Sequence, residues 1–157
     1  FDGETTWTLK NVPAGTYTRL IRGSTCVMSD TPDEKRDHYR FVWSAKGHVL
    51  INGLGLGMVL GAVLQNPAVT KATVVEISPD VIALVAPSYR DPRVSIVCGD
   101  ALTIEIEKGA KFGAVWHDIW DNICADNLEA MKTLHRRYGR RAEWQGSWAR
   151  HLCERWS

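Results

Sequence analysis

Val49-Leu-Ile-Asn-Gly-Leu-Gly-Leu-Gly-Met-Val-Leu-Gly-Ala-Val-Leu64 is the stretch whose reading decides the fold. It opens with an apolar run, Val49 to Ile51, the pattern of a strand covered on both faces. Gly53-Leu-Gly55-Leu-Gly57 follows, and then an apolar, helix-competent segment to about Gln65. Strand, glycine turn and helix in this order open a nucleotide-binding α/β unit. Glycine suits such a turn because the backbone must take dihedrals that side chains resist and must let a ligand approach closely. The first N–H groups of the following helix point at the same place. A plain tight turn carries similar glycines, so the decision falls to what lies downstream.

Downstream, acids recur at equivalent places. Thr73-Val-Val-Glu76 reads as a second strand ending in a carboxylate, about twenty residues past the glycines, where a ribose-binding acid belongs. Val94-Ser-Ile-Val-Cys-Gly-Asp100 and Ala114-Val-Trp-His-Asp118 repeat the pattern. Open parallel sheets bind ligands at the carboxyl ends of their strands. The predicted core is therefore an α/β, Rossmann-like three-layer sandwich. Its truncated parallel sheet has the order 3-2-1-4 and is built from strands 48–52, 72–77, 94–98 and 112–117. Helices are predicted over 57–66, from Pro79 to about Ser88 with Ser78 as cap, over a short Asp100–Glu107 segment, and from about Ile123 to Tyr138.

Ahead of this core, residues 1–29 read as β structure. Thr5 to Leu9 alternates crudely, and Thr16–Arg22 and Thr25–Met28 form a hairpin around Gly23-Ser24. Thr31, Pro32 and Glu34 form a capping-box start for a helix through His38 and Phe41 to about Ala45. The tail beyond Arg136 reads as helical and rich in tryptophan, with no fifth strand. The expected organisation is one domain: hairpin and helix over 1–45, cofactor-binding core over 46–135, tail over 136–157.

Composition narrows the class. The chain has 157 residues, 45% hydrophobic and 24% charged, ordinary values for a globular protein with a real core. A net charge of +1 gives no indication of nucleic acid, which is not expected as a partner. The basic run Arg136-Arg-Tyr-Gly-Arg-Arg141 reads as a solvated face. Cys26, Cys98, Cys124 and Cys153 show no CxxC pairing and read as buried reduced thiols, which points to the cytoplasm. No apolar run has the length of a membrane span and no signal peptide is visible. The first residue is Phe1, so a trimmed start is expected. No metal site is expected from the His, Cys and Asp spacing.

With these motifs in view, the region from about Cys26 to Asn127 resembles a class I S-adenosylmethionine-dependent methyltransferase, and within that class the spermidine synthase-like group. Gly53-Leu-Gly55-Leu-Gly57 is similar to the first motif of those enzymes, and Met58 stands where a dinucleotide fingerprint wants Gly or Ala. Glu76 with Ile-Ser-Pro-Asp80 resembles the ribose-binding acid and the helix after it. Gly99-Asp100-Ala101 resembles the adenine-contacting motif. Asp118-Ile-Trp-Asp121 falls where aminopropyltransferases carry two aspartates three apart.

The resemblance implies S-adenosyl-L-methionine, or S-adenosylhomocysteine, held by Asn52, Gly53, Gly55, Gly57, Glu76, Ile77, Asp100, Ala101 and Asp118, with Asp118 and Asp121 as catalytic residues. It implies methyl transfer to an unidentified acceptor. The alternatives are aminopropyl transfer from the decarboxylated cofactor, or a non-catalytic binding module. A cationic amine is a candidate substrate and a homodimer a candidate assembly. Each residue also has a plainer role: Asp100, Asp118 and Asp121 as helix caps, His117 as a strand-end polar residue, His38 as a structural residue. Trp116 and Trp120 flank the acidic motif and could wall the pocket, while Trp144, Trp148 and Trp156 are expected to bury against the sheet or a second subunit. A full methyltransferase sheet has seven strands, so the edge of the fourth strand is expected to be covered by the tail, the hairpin or another subunit.

Overall fold

The computed structural model describes residues 19–29, 38–155 and 157. These begin with an antiparallel hairpin, β1 (Arg19–Arg22) and β2 (Thr25–Ser29), turned at Gly23 as expected. The strand expected at Thr5–Leu9 and the capping box at Thr31–Glu34 lie outside the described residues. α1 (Tyr39–Ser44) follows and ends at Ala45, where the sequence placed the stop.

The core is a five-stranded parallel sheet in the order β5-β4-β3-β6-β7. Its strands are β3 (Gly47–Asn52), β4 (Val69–Glu76), β5 (Val94–Cys98), β6 (Ala114–His117) and β7 (Gln145–Ser147). Side-chain alternation sets the layers. Val49, Ile51, Val74, Ala114 and Trp116 bury into one side of the sheet. Leu50, Val75 and Val115, their chain neighbours, bury into the other. The first side is covered by α1, α2 (Met58–Leu64) and α3 (Pro79–Val85), and the second by α4 (Asn127–Tyr138) and the segment 101–110. Both faces are dry, so β3 appears in the sequence as an unbroken apolar run.

α3 starts as read. Ser78 Oγ accepts the Val81 N–H at 3.3 Å and Pro79 takes the first turn. Arg93 clamps the return into β5, bonding both Asp91 oxygens and the carbonyls of Leu64 and Val69. The guanidinium holds the Asp91 carboxyl down at about 2.

Four expectations are corrected. The tail carries a fifth strand: β7 pairs in parallel with β6, and an isolated bridge joins Phe112 to Ala142. Gln145-Gly-Ser147 holds no apolar residue, so neither period-2 alternation nor an apolar run marks it. The order 3-2-1-4 stands and is extended by one strand. The helix expected over Asp100–Glu107 is a single turn, in which the N–H groups of Thr103 and Ile104 bond the Asp100 carbonyl. Leu102, Ile104 and Ile106 then alternate toward the sheet, a spacing no helix keeps on one face. Without a helix there, Ser95 and Val97 of β5 are exposed on that face. Cys98, at the strand end, is likewise exposed rather than a buried thiol. Cys153 is buried as expected. Finally, the last core helix begins at Asn127, not near Ile123, so residues 119–126 are free to shape a rim. Among the described residues no helix is long and apolar enough to cross a membrane.

The tail covers the β6 edge with β7, and Trp144 just before β7 joins an aromatic cluster on one face of the sheet. Phe41 of α1 is fully buried and stacks on Trp116, with centroids 5.8 Å apart; Trp144 lies 6.1 Å from Phe41 and 6.4 Å from Trp116, so the three rings form one triangular cluster. Phe41→Ala removes one ring of this three-ring cluster. The expected cost is about 3–5 kcal/mol of unfolding free energy by urea denaturation, and a loss under 1 kcal/mol would mean that α1 is not part of the core.

Candidate functional site

Because β3 to β6 run parallel, their carboxyl ends lie along one rim, and the loops leaving them enclose a cavity of about 300 Å³. This is at the lower end of the size of small-molecule sites, roughly 300–1,000 Å³. Gly53 and Gly55, Glu76 and Ile77, Asp100 and Ala101, and Asp118 and Asp121 all line it. Residues separated by some seventy positions in sequence are thus brought together in pairs, each pair leaving a different strand.

The backbone of the glycine turn is locked against β6. Gly53 has φ 105°, and a Cβ built on it would sit 1.9 Å from the Asp118 carbonyl oxygen. Only a hydrogen fits there. The Gly53 N–H donates to Val75 O at 2.7 Å, and the Asp118 N–H donates to Asn52 O at 2.8 Å. Gly57, the residue before α2, is different. The Tyr89 ring covers it and the Tyr89 hydroxyl donates to Leu56 O at 3.1 Å, so Gly57 serves packing and does not line the cavity. Burial pushes the Tyr89 phenol up from its usual value.

Glu76 is the structural centre. It is 9% exposed. Oε1 accepts the Leu54 N–H at 3.0 Å, and Oε2 accepts the Ser78 N–H at 2.8 Å. Each carboxylate oxygen has room for a second hydrogen bond, so a ligand hydroxyl can still be accepted on either. Asp100 closes a small turn, its Oδ1 accepting the Leu102 N–H at 2.9 Å. That is a local cap, and it leaves the carboxylate on the cavity wall. Asp118 and Asp121 lie well ahead of α4 and do not cap it, since α4 starts at Asn127.

Asn52 is fully buried below the turn. Its Nδ2 donates to His117 Nδ1 at 3.0 Å, while its Oδ1 has no hydrogen-bond partner. His117 Nε2 then donates to Gln145 Oε1 at 3.1 Å, and Gln145 Nε2 donates to the His135 carbonyl at 2.9 Å. That last bond fixes the Gln145 amide, and with it the neutral Nε2–H form of His117. His135 Nε2 meets Ser147 Oγ at 2.8 Å, and an Arg150 nitrogen lies 3.4 Å from His135 Nδ1. His117 is therefore occupied on both nitrogens and structural. Burial, opposed by the Gln145 bond and helped by His135, pulls its pKa down to about 4.

Several wall residues were not legible as such. Leu20 of the hairpin, Ile119 and Trp148 line the cavity with Trp120. Trp120 was expected there; Trp116 was a candidate and is instead in the core. Trp148 was expected to bury against the sheet or a second subunit. It does pack on the sheet, and it also lines the cavity; its backbone N–H donates to His117 O at 2.9 Å. His38 is buried outside the cavity wall. Among the described residues no three His, Cys, Asp or Glu side chains gather to hold a metal ion.

No protein-family model matches the chain, and no curated protein matches it. Solved structures do. The chain is similar to the N-methyltransferase NodS from Bradyrhizobium japonicum WM9 in complex with S-adenosyl-L-homocysteine, at 18% identity and TM-score 0.59, over 81% of this chain and 68% of that one. It is similar to the 23S rRNA methyltransferase ErmE at 19% identity and TM-score 0.54, over 69% of this chain and 43% of that one. A spermidine synthase from Thermotoga maritima matches at 23% identity and TM-score 0.45, over 59% of this chain and 36% of that one, too loosely to single out that group. The chain thus spans less than half the length of the last two. The fold is the Rossmann-like α/β fold of the methyltransferases NodS and ErmE.

The neutral state of His117 has a consequence for stability. A histidine held at about 4 when folded, against 6.5 in the open chain, binds fewer protons in the folded state across that interval. Stability is therefore complete above pH 6.5 and is lost as pH falls toward 4, by on the order of 3 kcal/mol. His135 and His48, both lowered chiefly by burial, act in the same direction. Urea midpoints measured across pH 4 to 7 should fall with acid, and His117→Gln, which keeps a donor and an acceptor, should flatten the slope. An equally steep slope in that variant would show that His117 is not buried neutral.

Proposed function

We propose that the cavity binds S-adenosyl-L-methionine and that the chain is a methyltransferase-like transferase acting on a small amine. The observation that supports this most is the Glu76 carboxylate, pinned by two backbone N–H groups at the end of β4 with acceptor capacity to spare. Other features fit the same molecule. Gly53 and Gly55 leave the backbone bare at the cavity wall. Ile77 presents a large, exposed apolar surface between Glu76 and Ser78, suited to a flat ring. Asp100, also on the cavity wall, would be the acceptor for an exocyclic amine. The S-adenosylhomocysteine named in the NodS complex agrees with this reading.

When bound, the sulfonium supplies an electrophilic methyl group. The residues of this chain then have three tasks. Glu76 and Asp100 fix the ends of the nucleoside. The glycine turn holds the remaining tail against the backbone. Asp118 and Asp121, with Trp120 and Trp148 beside them, attract a cationic amine and accept its proton, so that a neutral nitrogen faces the reacting carbon. Alignment supplies most of the acceleration in such transfers. Aminopropyl transfer is the second reading, supported by the presence of both Asp118 and Asp121 on the cavity wall.

Calorimetry with S-adenosylmethionine, S-adenosylhomocysteine and the decarboxylated cofactor tests both. Binding of the first two is expected, and Glu76→Ala should weaken it by about ten- to a hundredfold, the range for hydrogen bonds to a charged group, with circular dichroism confirming that the variant folds. Preference for the decarboxylated form would transfer the reading to aminopropyl chemistry. Absence of binding by all three would overturn both.

A further inference from the structure

The basic run from Arg136 to Arg141 plays no part in the cavity, and it ends at a second feature on the opposite rim of the sheet. There the amino ends of β3 and β6 and the residues leading into β7 border an open groove of about 470 Å³. Lys46, Lys111, Arg140 and Arg141 line it against one carboxylate, Glu143, which pairs with Lys46 at 2.6 Å. Lys111 Nζ donates to the Arg140 carbonyl at 2.6 Å, and Arg141 donates to the carbonyls of Glu107 and Ala110. These carbonyls aim the cations without neutralising them. The groove therefore holds three more positive than negative groups, in a chain whose total is only +1.

A separate observation adjoins it. α1 presents Trp43 and Tyr39 to solvent, 78% and 62% exposed, with their rings stacked at a centroid distance of 6.2 Å. Arg40 stands between them in sequence, and a shallow hollow runs from this pair to Ser44 and Trp144. Ser44 and Trp144 are close chain neighbours of Lys46 and Glu143, so the ion pair between those two joins the hollow to the groove. Large exposed aromatic surface is costly unless it meets a partner. Stacked rings beside a cationic groove form the arrangement that recognises single-stranded nucleic acid, with bases on the rings and phosphates along the cations.

We propose that this face binds single-stranded nucleic acid: phosphates along Lys111, Arg140 and Arg141, and an unstacked base on the Trp43–Tyr39 pair. Near-zero total charge concealed the site, because the cations gather here and the acids gather at the other rim. A duplex fits poorly, since its bases are already stacked on one another and cannot reach the rings. The proposal depends on surface chemistry alone and stands whether or not the cavity takes a cofactor.

The test is fluorescence anisotropy of a labelled oligothymidylate of about twelve nucleotides, a typical single-strand site size, at low and moderate salt. The expected result is binding that weakens with salt, with a shallower salt dependence in Arg140→Glu and Lys111→Glu. Each charge reversal should weaken binding about tenfold or more, and Trp43→Ala about tenfold, as expected for loss of one stacked base. All three positions are exposed, and matching thermal melts will confirm the fold. No binding at low salt overturns the proposal. So does an unchanged affinity in Trp43→Ala, or equal competition by a duplex of the same length or by pyrophosphate, either of which would reduce the groove to a general anion attractor.

Discussion

The carboxylate of Glu76 bridges two backbone N–H groups, one in the glycine turn after β3 and one at the cap of α3. That bridge sets the spacing between neighbouring strand ends before any ligand arrives. A buried carboxylate is costly unless hydrogen-bonded, and here both oxygens are satisfied by groups that would themselves be orphaned at chain turns. The length of a glutamate side chain lets it reach back from β4 to Leu54 while still facing the cavity. On the other flank, the contact between Gly53 and the Asp118 backbone brings β6 into the same assembly. A site built this way is pre-organised: the Glu76 carboxylate is held by the fold itself.

Beneath that rim, polar order replaces apolar burial. β7 has no apolar residue, yet it completes the sheet because Gln145 and Ser147 are bound by His117 and His135. The chain of bonds from Asn52 through His117 and Gln145 to His135 ties β3, β6, β7 and α4 together. Every member of a buried network must be satisfied for it to be stabilising. The one unsatisfied atom of this network is Asn52 Oδ1, in the residue that precedes the glycine turn.

The central features were legible in the sequence because each depends on local chemistry. Val49–Ile51 could only be a covered strand, and the glycines and acids that follow it fall at positions fixed by chain direction. Ser78-Pro79 signalled a helix start by its own side chains. What escaped depends on distant partners. β7 is held by the histidines of other elements. The Asp100–Glu107 segment looked helical in polarity, but its apolar residues alternate, and the turn at Asp100 closes on itself after one cycle. Leu20 and Trp148 reach the cavity only through folding. The cationic groove is assembled from three places in the chain, so neither net charge nor any single run reports it.

A crystal structure of the chain grown with S-adenosylhomocysteine tests the role of Glu76 most directly. The expected density lies beside Gly53 and Gly55, with both ribose hydroxyls within hydrogen-bond distance of the Glu76 carboxylate and the Leu54 and Ser78 bonds retained. Density elsewhere on the molecule, or a nucleoside in the cavity that leaves Glu76 bonded to those two N–H groups alone, contradicts it.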